Sequence, residues 1–143
     1  CQVPEPVLQA FEDMGWTYTV SFSYLSQLSE QNGTSCTGAT VYSSKQIYVS
    51  EAGATLHEFG HFLDYALQRP SENERFFERE AAAASAFLRE YALTTPGEYF
   101  AEYFAYYLTH SGREKKVEQM KRLTPETFAY FSALSKAGWN LTT

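Results

Sequence analysis

Two imidazoles and a carboxylate stand together in His57-Glu58-Phe59-Gly60-His61. At about 100° and 1.5 Å per residue, histidines four apart on a helix project within about 40° of each other, one turn apart, and can close on one metal ion. Glu58 is angled off that face, too far round to share the ligand plane and close enough to take a proton from a metal-bound water. A chance match is the alternative, and ordinary residue frequencies put it well under about one in a hundred for a chain of this size. Only three histidines occur, two of them here. The pattern predicts a site for one Zn2+ ion, with His57 and His61 as ligands and Glu58 as the acid/base group.

Catalytic zinc takes three protein ligands and leaves a fourth position to water. The remaining histidine, His110, falls at the end of a predicted helix, where a cation favourable to the helix dipole accounts for it. Carboxylates are the other source. In Glu98-Tyr99-Phe100-Ala101-Glu102 two glutamates share a helix face among Tyr99, Phe100, Tyr103 and Phe104, so the helix is expected to be buried and its carboxylates to need partners. Glu98 as third ligand and Glu102 as acceptor for an imidazole N–H would supply partners for both. A second outcome stays open, because Thr95-Pro96-Gly97-Glu98 also fits a capping box in which Glu98 folds back onto its own helix start. Asp64 lies about 20° round the helix from His57, two turns on, and is placed to brace the site. A plain surface charge, or a pair with Arg69, accounts for Asp64 equally well.

The elements that must position these groups are marked along the chain. Pro4 and Pro6 open a short helix to Met14, stopped by Gly15, and Trp16 to Phe22 then alternates as a strand. Tyr24 to Ser29 is a further short helix, followed by a small-residue loop to Gly38. Strands at Ala39–Tyr42 and Lys45–Ser50 form a hairpin through Ser43-Ser44. The motif helix is expected over Ala52–Gln68, stopped ahead of Pro70, after which Ser71-Glu72-Asn73-Glu74 reads as a capping box opening a long helix to Tyr91. A helix from Pro96 to His110 has Thr95 as N-cap, and Thr124-Pro125-Glu126 starts a last helix in the same way. Strands followed by helices in 143 residues predict one α+β domain spanning residues 1–143.

Composition narrows the partners. Eleven Tyr, eleven Phe and two Trp supply bulky rings for the core and for the walls of any cleft. A net charge of -6, with only Arg113, Lys115 and Lys116 as a short basic cluster, argues against nucleic acid; that cluster reads as a solvated helix face. The longest low-polarity run, Ala81 to Leu88, is far too short to span a membrane. The chain starts without Met and without a leader pattern, as a processed or excised domain does. Cys1 and Cys36 are then expected either as one disulfide or, with Cys1 lipid-anchored, as an exported protein with a single thiol. Asn32-Gly33-Thr34 and Asn140-Leu141-Thr142 fit a glycosylation acceptor pattern that matters only in a eukaryotic secretory route.

The stretch from Ile47 to Leu134 resembles the zinc metalloprotease domain of the anthrax lethal factor family, which includes the secreted Pro-Pro endopeptidases of Gram-positive bacteria. The resemblance is carried by His57-Glu58-Phe59-Gly60-His61-Phe62-Leu63-Asp64, by Glu98 to Tyr107, and by Pro125-Glu126-Thr127-Phe128. It implies a small gluzincin-type zincin fold, with His57, His61 and Glu98 as zinc ligands, Glu58 as catalytic acid/base and Glu102 behind the ligands. Tyr91, seven residues before Glu98, falls where that family has a tyrosine that assists the transition state. A secreted, monomeric zinc endopeptidase acting on a peptide or protein substrate is the implied function. The upstream segment lacks the tryptophan-bearing loop of the Pro-Pro endopeptidases, so that specificity is not carried over. The alternatives are a zinc aminopeptidase, for which no motif recognising a free amine is found, and a non-catalytic zincin-fold binding module.

Overall fold

The computed structural model describes residues 3–20, 38–49 and 54–139. The architecture is α+β, with a small three-stranded sheet and a larger helical part. In chain order the described elements are α1 (Glu5–Asp13), β1 (Thr17–Val20), β2 (Gly38–Val41), β3 (Gln46–Val49), α2 (Thr55–Ala66), α3 (Pro70–Asn73), α4 (Arg75–Ala84), a 3-10 turn (Glu90–Leu93), α5 (Pro96–His110), α6 (Glu114–Leu123) and α7 (Pro125–Lys136). No helix among them is long and apolar enough to cross a membrane. The expected helix at Tyr24–Ser29, the end of the first strand, the small-residue loop before Gly38, both cysteines and both Asn-X-Thr sequences lie outside the described residues.

The sheet order is β1-β3-β2. β1 runs parallel to β3, with Thr17 opposite Gln46 and Val20 opposite Val49, and β2 runs antiparallel, with Gly38 opposite Val49 and Val41 opposite Gln46. The predicted hairpin therefore forms, through a four-residue turn from Tyr42 to Lys45 rather than through two residues. Lys45 takes φ 55 there, and its ammonium donates to the Met14 carbonyl at 3.1 Å, tying the turn to the end of α1. β3 alternates half-buried and buried residues, with Ile47 and Val49 fully enclosed, as a central strand packed on one face does.

α2 is shorter than the spacing predicts, ending at Ala66. Gln68 and Arg69 both have left-handed backbones, φ 65 and 62, so the chain leaves the helix before Pro70, whose ring disfavours helical geometry at the preceding residue. The long helix expected from Ser71 to Tyr91 does not form. Its capping residue is committed elsewhere: Ser71 is buried, and both its N–H and its hydroxyl donate to Asp64, at 3.1 and 2.6 Å. What forms instead is one turn, a break at the extended Glu74, α4 to Ala84, and a separate 3-10 turn carrying Tyr91.

Two helices meet the predictions closely. α5 runs from Pro96 to His110, and the Thr95 hydroxyl accepts the Glu98 N–H at 3.1 Å. α7 begins at Pro125 as expected, but Thr124 does not cap it, since its hydroxyl donates to the Met120 carbonyl. Glu80 of α4 caps it from outside, its carboxylate accepting from the N–H groups of Glu126 and Thr127 at 3.0 and 2.8 Å. Rings fill the interior in two groups. Phe11, Trp16, Phe59 and Phe62 interlock beneath the sheet, and Phe77, Phe100, Tyr103 and Phe131 pack between α4, α5 and α7.

α2 and α5 make the most intimate helix pair, and Gly60 is the reason. A Cβ at Gly60 would stand 2.7 Å from Ala101 Cα and 3.0 Å from its carbonyl oxygen, both backbone atoms that cannot swing aside. Gly60 lies between His57 and His61, and Ala101 between Glu98 and Glu102. Alanine in an open helix position would be about 1 kcal/mol better than glycine, whereas forcing extra volume into a packed contact costs about 1–3 kcal/mol. Because the obstruction is backbone, the second term wins. Gly60→Ala is expected to lower the denaturation midpoint, by a net loss of about 1–2 kcal/mol, and an unchanged or raised midpoint in chemical unfolding would show that the helices part freely.

Candidate metal centre

α2 presents His57 and His61 one turn apart, and the first turn of α5 brings Glu98 against both. His57 Nε2 lies 3.2 Å from His61 Nε2 and 3.0 Å from Glu98 Oε2, and His61 Nε2 lies 3.2 Å from Glu98 Oε1. One ligand atom from each residue falls within 4.8 Å of the others, close enough for the three to hold a metal ion. Atoms about 2.1 Å from a tetrahedral ion sit about 3.3–3.4 Å apart, so these separations come within a few tenths of an ångström of three corners of such a site. The donor chemistry fits as well, because three acceptor atoms converging on one point repel unless a cation or shared protons lie between them.

Electrostatics around the cluster follow from its burial. Burial pushes the Glu98 carboxyl up, but hydrogen bonds to His57 and His61 and their charge outweigh it and bring it down to about 2. For His57 burial disfavours the charged form, yet the Glu98 hydrogen bond and the charges of Glu58 and Glu102 prevail and raise it above its ordinary value. Glu98 does not fold back onto its helix start. Its N–H uses the Thr95 cap while its carboxylate turns to the imidazoles, so only half of the possible capping box forms.

Glu58 is buried beside this cluster, with Oε2 3.9 Å from His57 Nε2. Burial raises its pKa, opposed by His57 and by a hydrogen bond from Thr40. That bond is short: Thr40 Oγ1 donates to Glu58 Oε1 at 2.7 Å. Gly38, two residues earlier on β2, makes room for the same side chain, since a Cβ there would fall 2.7 Å from Glu58 Oε2. Thr40 and Gly38 were beyond the reach of spacing, being 18 and 20 residues away on a strand whose distance from α2 only the fold sets.

Glu102, one turn after Glu98, is buried, with Oε1 3.6 Å from His57 Nδ1. It is not left unpaired without a metal, as its aromatic neighbours suggested, because the Arg89 guanidinium donates to that same oxygen through Nε at 2.8 Å and through Nη2. Asp64 is fully buried, which removes the surface-charge alternative; its hydrogen bonds go to Ser71, and Arg69 approaches only to 4.0 Å. Burial raises its pKa against those Ser71 bonds. Tyr91 is half exposed on the 3-10 turn, its ring centre 5.9 Å from that of His57. His110 ends α5 as expected, and burial, Arg113 and Lys116 all push its pKa down, against the cationic form.

The family model described as anthrax toxin lethal factor, N- and C-terminal domain, matches residues 8–134. The chain belongs to that family. The match reaches back through β2, β1 and into α1, well upstream of Ile47, so the strand bearing Gly38 and Thr40 is part of the family region. No curated protein matches the chain.

Two measurements bear on the centre. Glu98→Ala is expected to weaken Zn2+ or Co2+ binding by more than about 100-fold, beyond the range of outer-contact losses, as read by competition with a chromophoric chelator; near-native affinity would remove Glu98 from the ligand set. Ligands must lose their protons to bind metal. Because His57 keeps its proton to higher pH than the ordinary 6.5, affinity should begin to fall above that value on acidification, and a pH-independent affinity down to about 6 would contradict it.

Proposed function

We propose that this lethal factor family member is a zinc-dependent endopeptidase. The observation that carries the proposal is the convergence of His57, His61 and Glu98 from two helices, with Glu58 buried at the edge of the same cluster. Two histidine nitrogens and one glutamate oxygen, beside a buried glutamate, are a donor set that catalytic zinc sites use. When bound, zinc supplies a lowered pKa to a coordinated water and polarises a substrate carbonyl.

The chain's own residues divide the remaining work. Glu58 takes a proton from the attacking water and returns it to the leaving amine. Thr40 holds Oε1, which leaves Oε2 turned toward the ligand cluster. Tyr91, on its turn above His57, offers a phenol O–H to the developing oxyanion. Glu102 faces the outer nitrogen of His57 and favours the tautomer whose Nε2 lone pair points inward. Asp64, hydrogen-bonded to Ser71, braces the far end of the motif helix rather than an imidazole.

An extended peptide needs a strand edge beside the cluster. β3, the strand that leads toward the motif helix, is the middle strand of the sheet and has neither edge free. Among the described residues β2 is the edge strand on the Glu58 side, so a substrate would lie along β2, backbone to backbone. Residues 8–134 within one family match support one functional unit. Location outside the cell and a monomeric state complete the proposal.

Glu58→Gln is the decisive variant. It is expected to bind zinc as the native chain does while peptide cleavage drops about 10²–10⁴-fold, the span of a general acid–base contribution. Cleavage of a mixed peptide library, with and without chelator, reads it out, and N-terminally blocked peptides separate an endopeptidase from an aminopeptidase. Zinc binding without turnover of any peptide would overturn the enzyme in favour of a binding module.

A further inference from the structure

We propose that Arg89 is a positioning residue for the metal centre, holding Glu102 against His57 and fastening the Tyr91 turn to the ligand helix. The inference rests on the reading of His57, His61 and Glu98 as metal ligands. Arg89 immediately precedes the 3-10 turn, and its side chain reaches across to α5. Its Nε and Nη2 both donate to Oε1 of Glu102, holding that oxygen in place with two charge-assisted hydrogen bonds.

The same oxygen is the one that faces His57. Glu102 Oε1 lies 3.6 Å from His57 Nδ1, and that nitrogen is buried without a hydrogen-bond partner among the described residues. For His57 Nε2 to offer a lone pair to a cation, Nδ1 must carry the proton, and a buried N–H needs an acceptor. Glu102 Oε1 is within a small movement of accepting it. An ionised carboxylate has about four lone-pair sites on its two oxygens, and the guanidinium takes two of them, so Glu102 keeps capacity for the imidazole N–H. Without Arg89, a buried anion would remain beside the imidazole with nothing to fix its direction.

A second contact ties Arg89 to the same centre from the other side. Its guanidinium carbon lies 5.6 Å from the centre of the Tyr91 ring, two residues on, and that ring is 5.9 Å from His57. One cation thus touches both a carboxylate and an aromatic ring that lie against the same imidazole. The Arg89 side chain is 69% exposed, and exposed ion pairs contribute little to global stability. A merely structural role therefore predicts no change in metal binding, whereas a positioning role does.

Full-length Arg89→Met, Arg89→Lys, Glu102→Gln and the double variant Arg89→Met/Glu102→Gln, measured for Zn2+ affinity by chelator competition and for thermal unfolding without metal, test this. Arg89→Met should bind Zn2+ about 10-fold more weakly, at the lower end of the effect of outer contacts on metal affinity, with metal-free unfolding unchanged. Arg89→Lys should recover part of the loss, and the double variant should bind no worse than Glu102→Gln. Native affinity in Arg89→Met, beside a lost affinity in Glu98→Ala, would overturn the role of Arg89 and leave the metal centre standing. A native chain that fails to bind Zn2+, or Glu98→Ala binding as tightly as native, would overturn the metal centre and this inference together. If Arg89→Met lowers the metal-free unfolding temperature, the cycle decides: non-additive losses support the inference, and additive losses overturn it.

Discussion

The closeness of α2 and α5 at Gly60 and Ala101 governs the rest of the molecule. Helix axes usually stay about 8–10 Å apart because side chains stand between them. Here the side chain is missing on one helix, and backbone meets backbone at the level where the ligand residues project. Two imidazoles from α2 can then meet a carboxylate from α5 at 3.0–3.2 Å, which longer side chains across a wider gap could not do with equal definition. The rings of Phe77, Phe100 and Phe131 on one side of α5, and of Phe11, Phe59 and Phe62 under α2, hold that contact closed.

Convergence carries an electrostatic cost. Three carboxylates, Glu58, Glu98 and Glu102, cluster with two largely buried imidazoles, and each is answered differently. Glu98 is held anionic by the imidazoles themselves. Glu102 has a guanidinium; for Glu58 burial outweighs His57 and the Thr40 hydroxyl, and its pKa rises. Different surroundings thus make chemically similar side chains into a ligand candidate, a strut and a candidate base, as pairs of carboxylates in active sites commonly are.

Local signals were legible because they act within one turn. The i, i+4 histidines, Thr95 with Pro96 and the stop before Pro70 each concern neighbours whose geometry the helix dictates, and α5 formed with the boundaries read for it. Ser71-Glu72-Asn73-Glu74 shows the limit of the same logic. Its capping pattern is genuine, but buried Asp64 needed donors more than an exposed helix start needed a cap, and Ser71 went to Asp64. Likewise Thr124 stood at a helix start as expected, while the cap came from Glu80 of another helix.

By itself the amino-acid order determined the α+β class, the imidazole pair with its adjacent carboxylate, and a buried aromatic helix with Glu98 and Glu102 on one face. Periodicity and capping dictate these, and both are readable over a few residues. Only the tertiary structure decided that Glu98 turns inward rather than back to its cap, that β3 is central and β2 the edge, and that Thr40 and Arg89 grip Glu58 and Glu102. Those contacts join residues 13 to 41 positions apart, where side chains find one another through the packing of whole elements and no spacing rule records the choice.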